Sequence, residues 1–342
     1  MRELIKTLSD MRGISGHEYR ITDKIKAMFE PYSDSVKIDP LGSVIAVKKC
    51  GKENAPRLMI EAHCDEIGLM VTTITDEGYL TIANVGGVDP RTLPSAEVVV
   101  HGKQDLWGAI GIKPEHMLDS GKAVKMSDMA VDTGLDAKTV KELISVGDSI
   151  SLPQSVGEIG DGQFSGKSLD DRASVAAILT VMKNIQNTDL SVDVYAVAAV
   201  QEEVGLRGGK TTSYGINPDM AIAIDVTHGI TPDNSERAFE VGEGLTISVG
   251  PNIHPKLAKR LFDTAEKHNI KVCTEVDGGE TGTDAWEIQI AQDGVPTALL
   301  SMPLKYMHTS VETLAISDVE DVAKLITEFI KESEADTKWL SF

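Results

Sequence analysis

Read along the chain, the side chains fit for chemistry fall directly after apolar strands. LMIEA is followed by His63, Cys64 and Asp65, and VYAVAAVQ runs into Glu202 and Glu203. AIAI leads to Asp225, and a short loop beyond TALLSMP reaches His308. LDDR opens a helix with Asp170 and Asp171, where the helix dipole favours carboxylates. Ligands of open α/β sheets bind beyond the carboxyl ends of the strands, so these acids and two histidines project toward one edge. Each alone has an ordinary structural use, as hydrogen bonder, helix cap or solvated loop. Their convergence has none. Five close carboxylates without cations repel one another and are driven to protonate, a difficulty that a metal cluster removes.

Imidazole and carboxylate donors suit Zn²⁺, with Co²⁺ and Mn²⁺ also open. Two histidines and three carboxylates exceed the three protein ligands of a catalytic zinc. They suit two ions about 3.5–4 Å apart that share a bridging carboxylate. One of the paired glutamates must then stay on metal while the other remains free to take a proton. Residues two apart on a strand face the same side, so Asp65 can accept the second ring N–H of His63.

The elements that must hold these groups read as one α/β domain with an interruption. Leu4, Ile5, Leu8 and Met11 form a helical stripe. Ser15 and Glu18 have capping-box spacing before a second helix carrying Ile21, Ile25, Met28 and Phe29. Residues 42–47 and 58–62 read as strands. From about Val71 to Leu152 short alternating segments (YLTIANV, AEVVVHG, GAIGIK, DSISL) predict a small all-β module. Beyond Gly166, long helices alternate with apolar strands, the pattern of a mainly parallel sheet flanked by helices. The last helix has a second capping-box spacing at Ser317 and Glu320. The expected division is residues 1–68 with 163–342 as the catalytic α/β domain, and residues 69–162 as an inserted, β-barrel-like domain.

Composition narrows the function. The chain has 342 residues, 53 acidic against 33 basic, and a formal net charge of −20. A field of that sign repels phosphate and anionic lipid, so neither nucleic acid nor membrane is an expected partner. The start, MRELIKTLSD, has no apolar stretch of leader length. The longest strongly apolar run, Val194 to Val200, is far short of the ~20 residues of a membrane span. Cys50, Cys64 and Cys273 are an odd, scattered set that fits reduced core thiols in a cytoplasmic protein. Aromatic residues make up 4%, few for stacking bases or sugars. GGETGTDAW (278–286) lacks the Lys-Ser/Thr of a phosphate loop. Arg207 reads as a substrate contact or a structural ion pair. His17, His101, His116, His228, His254 and His268 read as structural, with His116 the first to reconsider.

Five segments in order carry a resemblance over essentially the whole chain. AHCDEIG (62–68), SLDDR (168–172), QEEVGLRG (201–208), AIDVTH (223–228) and MHTSVE (307–312) resemble the motifs of the tetrahedral (TET) aminopeptidase family. That family also includes glutamyl and deblocking aminopeptidases and proteins called endoglucanase M. The resemblance implies a zinc-exopeptidase-like fold and removal of N-terminal residues from short peptides. It implies that His63 and Asp225 hold one metal ion, Glu203 and His308 the other, that Asp170 bridges them, and that Glu202 is the general base. Thr283 and Asp284 would then stand near the substrate pocket. The insertion would make a dimer contact, six dimers building a hollow dodecamer. Cys64 departs from the usual residue between His and Asp without touching an implied role.

Two other classes compete. A glycoside hydrolase would use Glu202 with a second acid, but leaves His63, Asp225 and His308 without a role. A non-catalytic protein of the same fold predicts loss of the base or a ligand, and none is lost.

Overall fold

The computed structural model describes residues 1–117, 123–153, 155–232, 234 and 237–341. The chain opens with α1 (Arg2–Ser9) and α2 (Thr22–Phe29), then β1 (Ser35–Ile38), β2 (Val44–Lys48) and β3 (Arg57–His63). Six strands follow as a module of their own: β4 (Gly68–Ile74), β5 (Leu80–Val85), β6 (Glu97–His101), β7 (Asp105–Ile112), β8 (Met129–Asp132) and, after α3 (Ala137–Leu143), β9 (Ser149–Ser151). They close into a barrel in the order β4-β5-β8-β7-β6-β9. Closure leaves no open edge, and the inward face buries its own cluster of Leu, Ile and Val, including Leu80, Val98, Val131 and Ile150.

The chain then returns through β10 (Gly157–Ile159), β11 (Gln163–Gly166), α4 (Leu169–Asn184), β12 (Asp193–Ala199), α5 (Arg207–Ile216) and β13 (Met220–His228). It finishes with β14 (Leu245–Val249), α6 (Pro255–Lys267), β15 (Val272–Val276), α7 (Ala285–Gln289), β16 (Thr297–Leu304), β17 (Glu312–Ala315) and α8 (Ile316–Glu332). The main sheet has the order β1-β2-β12-β3-β13-β16-β14-β15. Its four central strands, β12, β3, β13 and β16, run parallel, while β2 and β14 join them antiparallel. Helices cover both faces. α4 and α8 pack together on one, and α5 and α7 on the other. Being covered on both sides explains why the central strands read as nearly continuous apolar runs. α4 is buried almost all round, from Ala173 to Met182, as an interior helix must be. The fold class is thus the expected one, a mixed α/β domain with a closed barrel. A separate three-stranded sheet has the order β10-β11-β17.

Both capping-box spacings do other work. Ser15 donates to Asp65 Oδ2 at 2.5 Å, and Glu18 accepts the Gln201 backbone N–H at 2.9 Å. They therefore link the N-terminal segment to the loops carrying the candidate site. At α8 no side chain caps the helix; Ser317 bonds its neighbour Asp318, whose carboxylate accepts the Gly242 and Gly244 amides.

Candidate active site

The four central strands end together, and each delivers a polar group at its carboxyl end. His63 is the last residue of β3, Glu202 and Glu203 follow β12, Asp225 lies three residues before the end of β13, and His308 follows β16. Asp170 arrives from the distorted first turn of α4, where neither it nor Asp171 is helical. All five expected metal ligands and Glu202 line one open cleft of about 560 Å³.

Asp170 is the centre of the arrangement. Its Oδ1 lies 3.1 Å from His63 Nε2, and its Oδ2 lies 3.4 Å from His308 Nε2. One carboxylate thus faces two histidines with different oxygens. Glu203 Oε2 stands 3.3 Å from the same His308 nitrogen, and Glu202 Oε2 is 3.9 Å from His63 Nε2. Behind His63, Asp65 Oδ1 approaches Nδ1 at 3.4 Å, an approach rather than a formed hydrogen bond. Asp65 is itself fixed by Ser15 and by the backbone N–H groups of Glu202 and Glu203 at 3.1 and 3.3 Å.

The supports explain how such a strained set of charges is held. Glu66, buried, accepts Lys167 Nζ at 2.7 Å, the Gly13 amide at 2.9 Å and the Ser168 hydroxyl. Arg172 is fully buried; it meets Glu66 at 3.3 Å and donates to backbone carbonyls of Cys64, Leu8, Met11 and Gly13. Burial raises the Glu66 pKa, but Arg172 and Lys167 outweigh it and hold the group at about 2. This ion-pair knot brackets the Asp170 segment on both sides. Glu312 adds a clamp of its own: its two oxygens accept the backbone N–H groups of Asp170 and His308, each at 3.1 Å. The barrel contributes as well. A Cβ on Gly87 would fall 2.5 Å from His308 Nδ1, so only glycine lets that loop pass the ring.

The donor set calls for cations. Burial raises Glu202 to about 10 and Asp225 to about 8, with neighbouring carboxylates adding to both. Bonds from Asp170 and Glu203 push His308 up to about 11. Burial raises Asp170 too, yet His308 and His63 hold it well below the usual range. A cage of acids that protonates its histidines so readily is one that divalent cations would fill in place of protons. Ligand atoms of His63, Asp170 and Glu203 lie within 4.8 Å of one another, as do those of His63, Asp171 and Asp225. The sequence marks Asp171 only as a helix opener. Its Oδ2 takes the His63 backbone N–H at 3.3 Å and its Oδ1 takes the Ser174 hydroxyl, so protein donors already engage it.

Thr283 lines the cleft beside Thr281, but Asp284 does not: it is buried behind the site next to Glu61, against Gly209 of α5, whose Cβ would overlap it. His228, read as structural, stands on the cleft wall. Arg207 is exposed and bonds Gln201 at 3.2 Å, away from the cleft. His116 is exposed on the barrel. Glu312 and Glu66 lie within the quoted motifs, yet nothing in residue type separates a clamp from a ligand; the backbone positions that they serve appear only in the fold. Among the described residues no helix is long and apolar enough to cross a membrane.

Comparison with known proteins follows the same lines. Residues 42–325 match the family model described as M42 glutamyl aminopeptidase. The chain is 35% identical over 339 residues to the lysyl aminopeptidase of Pyrococcus furiosus, covering 96% of both. An aminopeptidase from the archaeon Desulfurococcus kamchatkensis superposes with a TM-score of 0.91 at 35% identity, over 99% of this chain and 96% of the other. The TET1 peptidase of Pyrococcus horikoshii, which can assemble into a tetrahedron or a large octahedral shell, gives 0.86 at 33% identity over 97% and 99%.

Proposed function

The chain belongs to the M42 glutamyl aminopeptidase family and is a metallo-aminopeptidase, and from that premise we propose how its own residues do the work. Two divalent cations, Zn²⁺ first with Co²⁺ or Mn²⁺ as alternatives, would be held by His63 with Asp225 and by Glu203 with His308, and Asp170 would bridge them. The observation that carries this reading is the division of Asp170's two oxygens between the two histidines. Bound there, the cations would supply Lewis acidity to the scissile carbonyl and acidify the attacking water.

The protein's part is positioning and proton transfer. Asp65 orients the His63 ring from behind. Glu312 fixes the two backbone segments that present Asp170 and His308. Glu202, facing the cleft without a hydrogen-bond donor among the described residues, takes the proton of the attacking water and returns it to the leaving amine. Short peptides entering amino end first would be cut at the first peptide bond. The separate barrel core supports a catalytic part and an inserted part, proposed as residues 1–68 with 163–342 and residues 69–162, although Val156 packs in the main core and β10 pairs with β11, so the barrel itself ends at β9. The insertion would pair subunits. A dodecamer of six dimers in the cytoplasm is the corresponding assembly, and light scattering that finds a stable monomer would remove it.

The test pairs aminoacyl anilides with carboxymethylcellulose, each with and without EDTA. Anilide cleavage should vanish on chelation and return with added metal. Glu202→Gln should lower kcat on the order of 10²–10⁴-fold while metal content, read by elemental analysis, stays intact. Cellulose cleavage that survives chelation would overturn the reading in favour of a glycoside hydrolase.

A further inference from the structure

Beyond the ligand residues the cleft continues to a wall formed by β15 and the loop after it. Glu275, Asp277 and Glu280 line that wall, and no lysine or arginine lines the cleft anywhere among the described residues. Among the described residues, His228 bears on Glu275 as a basic neighbour. Cations at the ligand residues would balance the acids that hold them. They leave this wall without counter-charge.

Glu275 is built in rather than loosely exposed. Thr227 donates to its Oε1 at 2.5 Å and Thr246 to its Oε2 at 2.7 Å. Thr227 lies two residues past Asp225 on β13, hence on the same face and about 7 Å along the strand. Thr246 and Asp225 both register with Ser301 of β16, so one polar row crosses the sheet from the catalytic edge to the wall. Ser301 is a second, independent feature. It is 2% exposed and lines the cleft, and its hydroxyl has no protein partner among the described residues. A fixed carboxylate and an unpaired hydroxyl, on strands with β14 between them, offer an ammonium or guanidinium two acceptors.

We propose that this wall receives the side chain of the substrate's first residue and selects a cationic one, lysine or arginine, with Glu275 as the specificity-determining carboxylate. The inference rests on the proposed function, which puts the substrate's amino end at the ligand residues. From there a four-carbon stem reaches toward Glu275, and Asp277 and Glu280 at the mouth draw the charge in.

The experiment compares the anilides of lysine, norleucine and glutamate on the metal-loaded enzyme. Calorimetric binding of lysinamide and norleucinamide is measured alongside. Norleucine has an unbranched four-carbon side chain without the ammonium, so the ratio isolates the charge. Lysine should exceed norleucine in kcat/KM by about 10–100-fold, with glutamate poorest. Glu275→Gln should cut that ratio about tenfold, mainly through KM, and Asp277→Asn should cut it less. Glu275→Lys should move the preference toward glutamate. Equal turnover of lysine and norleucine by the unaltered enzyme, or an unchanged ratio in Glu275→Gln, would overturn the inference. If no anilide is cleaved yet lysinamide binds more tightly than norleucinamide and Glu275→Gln removes the difference, the peptidase reading fails and the pocket stands.

Discussion

Two strand-end histidines divide the molecule. His63 closes β3 at the edge of the candidate site and His101 closes β6 in the barrel; both are buried and both meet a carboxylate. His101 has the connectivity of a nucleophile triad, with Nδ1 at 2.8 Å from Asp105 and Nε2 at 2.8 Å from the Ser151 hydroxyl. Asp105 in turn pairs with Arg20 at 2.9 Å. Every group in that chain has its partner, Ser151 is 1% exposed, and neither His101 nor Ser151 lines the candidate cleft. Around His63 the acids outnumber the cations, and the cleft reaches them. Residue type does not separate function from structure here. Unbalanced charge open to a cleft does.

The comparison breaks first at Asp170. Asp170→Ala removes the oxygen pair shared by both histidines, so turnover should fall on the order of a thousandfold or more and bound metal should drop. The protein should stay folded, because the Glu66–Lys167–Arg172 knot is untouched; circular dichroism checks that. Full activity in Asp170→Ala would leave the His63 edge no more functional than the barrel chain.

Asp65→Asn is the next step down. The amide keeps the shape but presents a weaker, neutral acceptor to His63 Nδ1, and Asn must still satisfy Ser15 and two backbone amides. Metal affinity or kcat/KM should fall about 10- to 100-fold. A metal titration that matches the unaltered protein would mean that Asp65 only ties loops together.

The sequence made this edge legible because its ligands follow apolar strands, and period and composition reveal such strands directly. It concealed three other things. α5, RGGKTTSYGI, is poor in helix formers, and its adjacent glycines Gly208 and Gly209 serve close packing; Gly209 leaves room for Asp284. Ser15 and Glu18 have the spacing of a cap, and only the fold shows them serving Asp65 and Gln201. Glu312 acts on the backbone amides of Asp170 and His308 and Glu66 on Lys167, Arg172 and Gly13, contacts that no local pattern encodes. His101 reads as structural in the sequence, which carries no sign that its contacts mimic a triad.

Ser151→Ala sharpens the contrast from the other side. Aminopeptidase activity should remain within about twofold. Removing the hydroxyl leaves a buried His101 nitrogen unpaired, which should cost the fold about 1–3 kcal/mol, read by denaturant midpoint. Loss of activity at unchanged stability would contradict the division drawn here.

The smallest effect is a proton. Burial lowers the His101 pKa below its ordinary 6.5, with Arg20 and Arg12 adding to that and Asp105 opposing it. The folded protein therefore takes up this proton less readily than the unfolded chain. By linkage, its contribution to stability is whole above pH 6.5 and is lost as pH falls through the lowered folded value. Asp105, also held below its ordinary pKa, loses its share only in a more acid range, below 3.8. Between pH 7 and 5 the difference is thus the histidine's alone. The unaltered protein should lose more stability over that interval than His101→Gln, which cannot be protonated. Parallel melting temperatures for the two across that range would show that the barrel histidine holds its charge state no more tightly than a surface one.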